Sequence, residues 1–228
     1  NCTGNKVLAG NSCGGKYEKC IEPLQYLYSD RTLSAEIIPG KSVIGIAVDP
    51  ENRLAVAIDY IMTTGWGGYG IDIPTLENTP SSGAGIYVRG ERDSYLIRDG
   101  KANTAKILAY GRSNGISYPA AEAAYNYQPG SCSSSSWCGR GNWYLPSNWQ
   151  VFPYFDNRAT IHLMLKAINK MPDDWWYTRN DFYTVTSNEI NAKESGFIYI
   201  NTGGMAHGGK NLTEPDNLQT LVLPYITY

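Results

Sequence analysis

The sequence has no excess of either charge. Its 19 basic and 21 acidic residues leave a net charge of −2, and no block of like charges occurs along the chain. A protein built to follow a phosphate backbone or to lie on an anionic bilayer gathers lysine and arginine on one face. The balance therefore argues against nucleic acid, and leaves a membrane only through an anchor. Long apolar runs are missing too, since no stretch approaches the roughly 20 residues that span a bilayer. The chain starts at Asn1 with no signal peptide, which reads as a processed or truncated piece whose anchor or export signal lies outside it. Histidine is scarce, at two residues, and neither His162 nor His207 stands in a recognisable catalytic motif. No CxxC or His-rich spacing suggests zinc. The Gly-rich stretches GWGGYG and GGMAHGG lack the strand-to-helix context and the lysine of a phosphate loop, and read as loops. These absences point away from an enzyme and imply no cofactor and no metal.

Aromatic side chains of one kind are abundant instead. The 228 residues include 18 Tyr and 6 Trp but only 4 Phe, while charged residues make up 18%. Tyr and Trp offer rigid contact area with a polar handle, which suits a binding surface and also an extracellular β-rich core. Of five cysteines, Cys132 and Cys138 bracket the short run SSSSW, so a local disulfide is expected there. Cys2, Cys13 and Cys20 leave one thiol over. Disulfides imply an oxidising, extracellular or cell-surface compartment. Asn1-Cys2-Thr3 and Asn211-Leu212-Thr213 match the N-glycosylation pattern, a short motif read here as coincidence.

Periodicity divides the chain into a Cys-containing N-terminal segment, 1–40, and a larger unit, 41–228. Ser42 to Asp59 holds two apolar β-branched runs around Asp49-Pro50-Glu51-Asn52, a hairpin signature. A Gly/Pro/Thr-rich loop with Trp66 and Tyr69 follows. GIYVRG and SYLIRDG look like short strands, and ANTAKILAYG like a strand or turn. Ser117 is placed to cap a helix with Pro119 in its first turn and a small-residue face from Ala120 to Ala124. Leu145-Pro146 stops a strand, and Ser147 with Gln150 makes a capping-box pattern for a second helix that Pro153 should kink or end. A third helix begins near Asn157, with Ile161, Met164, Leu165 and Ile168 on one stripe. GFIYIN is a strand, and LVLPYITY closes the chain as a last one. Strands, then helices, then strands give an α+β class.

From YPAAEAAYNY (Tyr118 to Tyr127) and WYLPS (Trp143 to Ser147) onward, the sequence resembles the bacterial Lcl C-terminal domains, C-type-lectin-like modules of adhesins, phage tail fibres and pilus-associated proteins. TVTSNE (Thr184 to Glu189) is similar to the family's YWSSTE, and SGFIYINTG (Ser195 to Gly203) to its A-W-x-V-x-F-x-x-G strand. Met205 and Lys210 fall at the next V and K, and LVLPYITY resembles the closing Y-V-R-P-V-L-A-F, with Leu223 in place of the arginine. The likeness covers roughly 100 to 228, plus a looser hairpin at 42 to 59. It implies a C-type-lectin-like fold and a ligand-binding or adhesin role on a cell, secreted or virion surface, with a protein or glycan as partner. Some members are variable proteins of diversity-generating retroelements. A structural pilus or fibre (tip) subunit is the alternative, motivated by the odd cysteine.

The same resemblance places recognition positions between the scaffold slots: Asn188, Ile190, Asn191, Lys193, Phe197, Tyr199, Asn201, Gly204, Ala206, His207 and Asn211. Phe197, Tyr199 and Asn201 are expected to share an exposed strand face, with burial of that face as the competing reading. Trp175, Trp176 and Tyr177 are candidates for stacking on a ligand, with at least one of them in the core. Glu214-Pro215-Asp216-Asn217 resembles a lectin calcium loop but lacks its partner motif, and reads as a polar turn. Trp143 and Leu145 belong to the core.

Overall fold

The computed structural model describes residues 7–9, 19–21, 23–79, 86–87, 99–170, 183–199, 205–211 and 220–228. Its class is α+β. The strands are β1 (Val7–Ala9), β2 (Lys19–Ile21), β3 (Gln25–Tyr28), β4 (Leu33–Ser34), β5 (Val43–Asp49), β6 (Leu54–Ala57), β7 (Ile61–Thr63) and β8 (Ile86–Tyr87) before the helices. The helices α1 (Gly100–Asn114), α2 (Pro119–Asn126), α3 (Asn148–Asp156) and α4 (Arg158–Ala167) precede β9 (Tyr183–Glu189), β10 (Glu194–Tyr199), β11 (Met205–Gly209), β12 (Thr220–Val222) and β13 (Tyr225–Thr227). One sheet has the order β7-β12-β9-β10-β11-β8, the second β13-β6-β5-β3-β4, and β1 pairs with β2 alone. All pairings are antiparallel except β12 with β9.

Alternation along the strands fills three cores. Between the sheets, Tyr26, Ile46 and Val56 of one meet Ile198, Met205 and Leu221 of the other, with α3 and α4 adding Val151, Phe155, Ile161 and Leu165. The opposite face of the six-stranded sheet carries Tyr183, Val185, Phe197 and Val222. It is covered by Ile107 and Leu108 of α1, by the alanines of α2 and by Trp66, Ile73 and Leu76 of the preceding loop. The outer face of the five-stranded sheet presents Leu27, Ile44, Ala55 and Ile226 to Trp143 and to Cys132 and Cys138. Those cysteines form the expected disulfide. Trp143 is 1% exposed; its Nε1 donates to the Cys138 carbonyl at 2.8 Å, and its ring stands edge-on to Tyr127. The sequence's Ser-rich loop is thus a lid on a sheet face.

The hairpin expected at 42–59 is β5-β6, its turn closed by the Asp49 carboxylate, which accepts from Asn52 N and Nδ2. The capping box at α3 forms in both directions, Gln150 N donating to Ser147 Oγ and Ser147 N to Gln150 Oε1. Pro153 lies inside α3, which ends three residues later, and α4 follows at once. At α2, Pro119 opens the helix, but Tyr118 is its N-cap. The Ser117 hydroxyl donates to Glu122 instead, which also accepts from Tyr118 N.

Four readings change. ANTAKILAYG is not a strand or turn but the body of α1, capped by the Asp99 carboxylate on Ala102 N. Its buried stripe is Gly100, Asn103, Thr104, Ile107, Leu108 and Gly111. Four of those six are polar or glycine, so the stripe carries no apolar period. Thr104 fits because its hydroxyl donates to Gly100 O and accepts from Leu145 N. GGMAHGG is not wholly loop, since Met205–Gly209 pair with β10. LVLPYITY is two strands in different sheets, split at Leu223-Pro224, where the Pro224 carbonyl accepts from Ala57 N. The sheet also reaches back across the boundary expected after residue 40: β3 and β4 pair onto β5, and Tyr26, Leu27 and Tyr28 are buried.

Trp143→Ala should cost about 3–5 kcal/mol through lost packing and a cavity under the lid. Ser147→Ala should cost only about 0.5–2 kcal/mol, the range for an N-cap. Urea denaturation of both variants checks the ranking; a Trp143→Ala no more destabilised than Ser147→Ala would contradict the core assignment.

Candidate functional site

One end of the six-stranded sheet is organised by a buried ion pair. Glu189 ends β9 and Lys210 follows β11; their carboxylate and ammonium are in direct contact, and both side chains are 0% exposed. The loop 64–79 closes over them. Lys210 Nζ also donates to the Ile71 carbonyl at 2.6 Å and faces the Trp66 ring, 4.9 Å from its centroid. Glu189 Oε2 accepts from Ile73 N at 3.1 Å. Trp66 Nε1 donates to the Thr186 carbonyl, and Trp66 N and Gly67 N both donate to the Lys210 carbonyl. Burial pulls Glu189 up and Lys210 down, each toward its neutral form, and their mutual contact opposes both movements. Tyr118, beside Trp66, has its phenol pushed up to about 12 by burial and then by the charge of Glu189.

The loop's path depends on glycine. At Gly67, φ is +103° and a Cβ would stand 2.6 Å from the Ser117 carbonyl; at Gly68, φ is +63° and a Cβ would strike the Tyr118 ring at 2.4 Å. Only a residue without Cβ lets the backbone lie this close to the start of α2.

Around this floor lies a rim held by backbone hydrogen bonds. Gly70 N donates to the Ala192 carbonyl and Lys210 N to the Lys193 carbonyl, both at 2.8 Å. The loop, the β9–β10 turn and the end of β11 are thereby joined, and Tyr69, Asn191, Lys193 and Asn211 are exposed on them. Asn191 shapes the turn itself, its Oδ1 accepting from Lys193 N and Glu194 N. Its Nδ2 donates to Glu194 Oε2, while Glu194 Oε1 lies 3.1 Å from His207 Nδ1.

The expected recognition residues divide into rim and floor. Asn191, Lys193, His207 and Asn211 come together at the rim. Asn188, Ile190, Phe197 and Ala206 are buried, with Asn188 at 0% and Phe197 at 6% exposure. Asn188 accepts from Asn148 N and donates to Thr79 Oγ1, so it ties the sheet to α3 and to the loop. The exposed strand face is corrected accordingly: Phe197 packs against Tyr183 and stands edge-on to a half-buried Tyr199. The cause is the layer of α1, α2 and the 64–79 loop over that face. Trp175, Trp176, Tyr177, Asn201, Gly204 and the Glu214–Asn217 stretch lie outside the described residues. Tyr69, at 50% exposure, joins the rim from outside the C-terminal third, in a loop with no apolar period to mark it. The sequence signal nearest to this pair is that Glu189 and Lys210 both fall on slots of the motif the C-terminal part resembles, the E that closes TVTSNE and the K that follows Met205.

A separate groove of about 520 Å3 runs between α1 and α2, lined by Leu108, Ile116 and Tyr125 with Arg112, Ser117 and Glu122. Among the described residues, no group of three or more His, Cys, Asp or Glu could hold a metal ion, and no helix is long and apolar enough to cross a membrane.

Removing one member of a buried pair strands the other. Lys210→Met should therefore cost about 3–5 kcal/mol, and the double variant Glu189→Met/Lys210→Met should regain part of it. Urea midpoints decide: wild-type stability in Lys210→Met would show that the pair does not anchor the loop.

No protein-family profile and no curated protein sequence matches this chain. Among solved structures, it is similar in fold to a fimbrial protein from Bacteroides ovatus, with a TM-score of 0.58 and 12% sequence identity. The alignment takes in 90% of this chain and 48% of that one, so the chain spans about half the length of the fimbrial protein. At that identity the likeness establishes a shared α+β architecture.

Proposed function

We propose that this chain is part of an extracellular bacterial surface fibre and that it presents a recognition surface on a C-type-lectin-like domain. The observation that carries the reading is the fold likeness to a fimbrial protein over 90% of the chain. The disulfide between Cys132 and Cys138 supports an oxidising, extracellular setting. The rim supports the binding half of the proposal. Its exposed side chains stand on a backbone fixed from below, an arrangement that lowers the ordering cost of binding. The ligand is a protein or a glycan on another cell or within the fibre. The domain works by binding and not by catalysis.

If the resemblance to retroelement-diversified proteins extends to this chain, burial reduces the contact set. Asn188, Ile190, Phe197 and Ala206 would then act as scaffold, and among the described residues Lys193, His207 and Asn211 would stay variable near the turn set by Asn191, with Tyr199 half-buried at the far end of β10.

The test compares the wild-type chain with a Tyr69→Ala/Lys193→Ala/Asn211→Ala variant against glycan arrays and a panel of bacterial and host cells. Truncating contact residues should weaken binding by about tenfold or more, with an unchanged melting temperature. Undiminished binding would remove the rim from the contact surface, and a wild type that binds nothing on either panel would overturn the recognition role.

A further inference from the structure

The contact between Glu189 and Lys210 has the components of a covalent bond as well as those of an ion pair. We propose that the two side chains condense into an intramolecular amide, a cross-link between the end of β9 and the residue that follows β11.

Three observations carry it. First, the reacting groups touch in a place without solvent, since both side chains are 0% exposed beneath the 64–79 loop. An amide formed there is shielded from the water that would hydrolyse it.

Second, the surrounding hydrogen bonds match the product. A secondary amide has one N–H and one carbonyl oxygen to satisfy. Nζ already donates to the Ile71 carbonyl at 2.6 Å, and Oε2 already accepts from Ile73 N at 3.1 Å. When Oε1 departs, neither remaining polar atom loses its partner. The ionic form uses three contacts, its donors going to Glu189, to Ile71 and toward the ring of Trp66, of which the amide N–H needs only the one to Ile71.

Third, burial shifts both groups in the direction of the reacting species. Burial moves both groups toward the carboxylic acid and the free amine, and the proton that interconverts them passes within the pair. Ile73 N–H points at Oε2, the oxygen that becomes negative in the tetrahedral intermediate. The step balances without a further reactant. The Nζ lone pair attacks Cδ, and a C–N bond forms. A proton from nitrogen then passes to Oε1, the C–O bond breaks, and one water leaves, with no change in oxidation state. The product joins residues 21 apart in sequence and fixes the backbone that holds the loop.

Intact-mass spectrometry of the purified chain, reduced and denatured, tests this directly, with Lys210→Arg as the control. Arginine keeps the charge but not the amine, and the mass is readable whether or not the variant folds. The expected result is a wild type lighter than its sequence mass by one water and a Lys210→Arg at full mass. Proteolysis of the wild type should also release a branched peptide that contains both Glu189 and Lys210. A wild type at full mass would overturn the cross-link, as would an equal loss of water from Lys210→Arg. Neither outcome bears on whether the rim binds a ligand.

Discussion

The arrangement of this protein turns on the contact of Glu189 with Lys210 away from water. Transferring a carboxylate and an ammonium into an apolar interior costs several kcal/mol per ion, and the cost is met only where each finds its counter-ion and further hydrogen bonds. Glu189 and Lys210 supply the first requirement to each other, but the second is met by the main chain of Ile71 and Ile73. The pair therefore requires the 64–79 loop, and the loop, with little regular structure of its own, requires the pair. Trp66 reinforces the arrangement by covering Lys210 and by donating to Thr186 one strand away.

This dependence accounts for the layering. Because the loop, α1 and α2 cover one face of the six-stranded sheet while α3, α4 and the second sheet cover the other, β9 and β10 are buried on both sides. Adjacent residues Phe197 and Ile198 enter different cores, and two polar side chains of β9 act as hydrogen-bonded bridges. Asn188 reaches Asn148 and Thr79, and Thr186 reaches Asn148 and the Gly196 carbonyl. A strand that reads as half exposed in sequence is interior because the covering layer comes from distant parts of the chain.

Local signals were legible and long-range ones were not. Ser147 with Gln150, Pro119 at the head of α2, the Asp49–Asn52 turn and the close spacing of Cys132 and Cys138 each report on neighbours within a few residues, and each appears as the sequence indicates. The helix at 100–114 was hidden because Asn103 and Thr104 occupy core positions, and they are tolerable there only through Ser187 and Leu145, dozens of residues away. Likewise, nothing local distinguishes Phe197 as covered from Lys193 as open, since the covering Trp66, Ile73 and Leu76 are contributed by a loop more than a hundred residues earlier. The split of the last strand at Pro224 was signalled by the proline itself, which cannot donate within a ladder. Its consequence, a transfer from one sheet to the other, is a property of the tertiary structure.

The separation of rim from floor has a consequence for how such a surface can change. At the rim the hydrogen bonds that hold position run between backbone atoms: Gly70 to Ala192, Lys210 to Lys193, Trp66 and Gly67 to Lys210. Backbone donors and acceptors are the same whatever side chain a residue bears, so Tyr69 and Lys193 can be exchanged for other residues while their places in space persist. Asn191 is the exception, because its own amide closes the β9–β10 turn. One layer down the position reverses, with Asn188, Glu189 and Lys210 held by side-chain contacts that only their own chemistry satisfies. The side-chain chemistry on which the fold depends is thus confined to the floor, and the rim is held by backbone contacts. This is the physical basis on which a recognition surface is proposed at this end of the sheet and not on the covered faces.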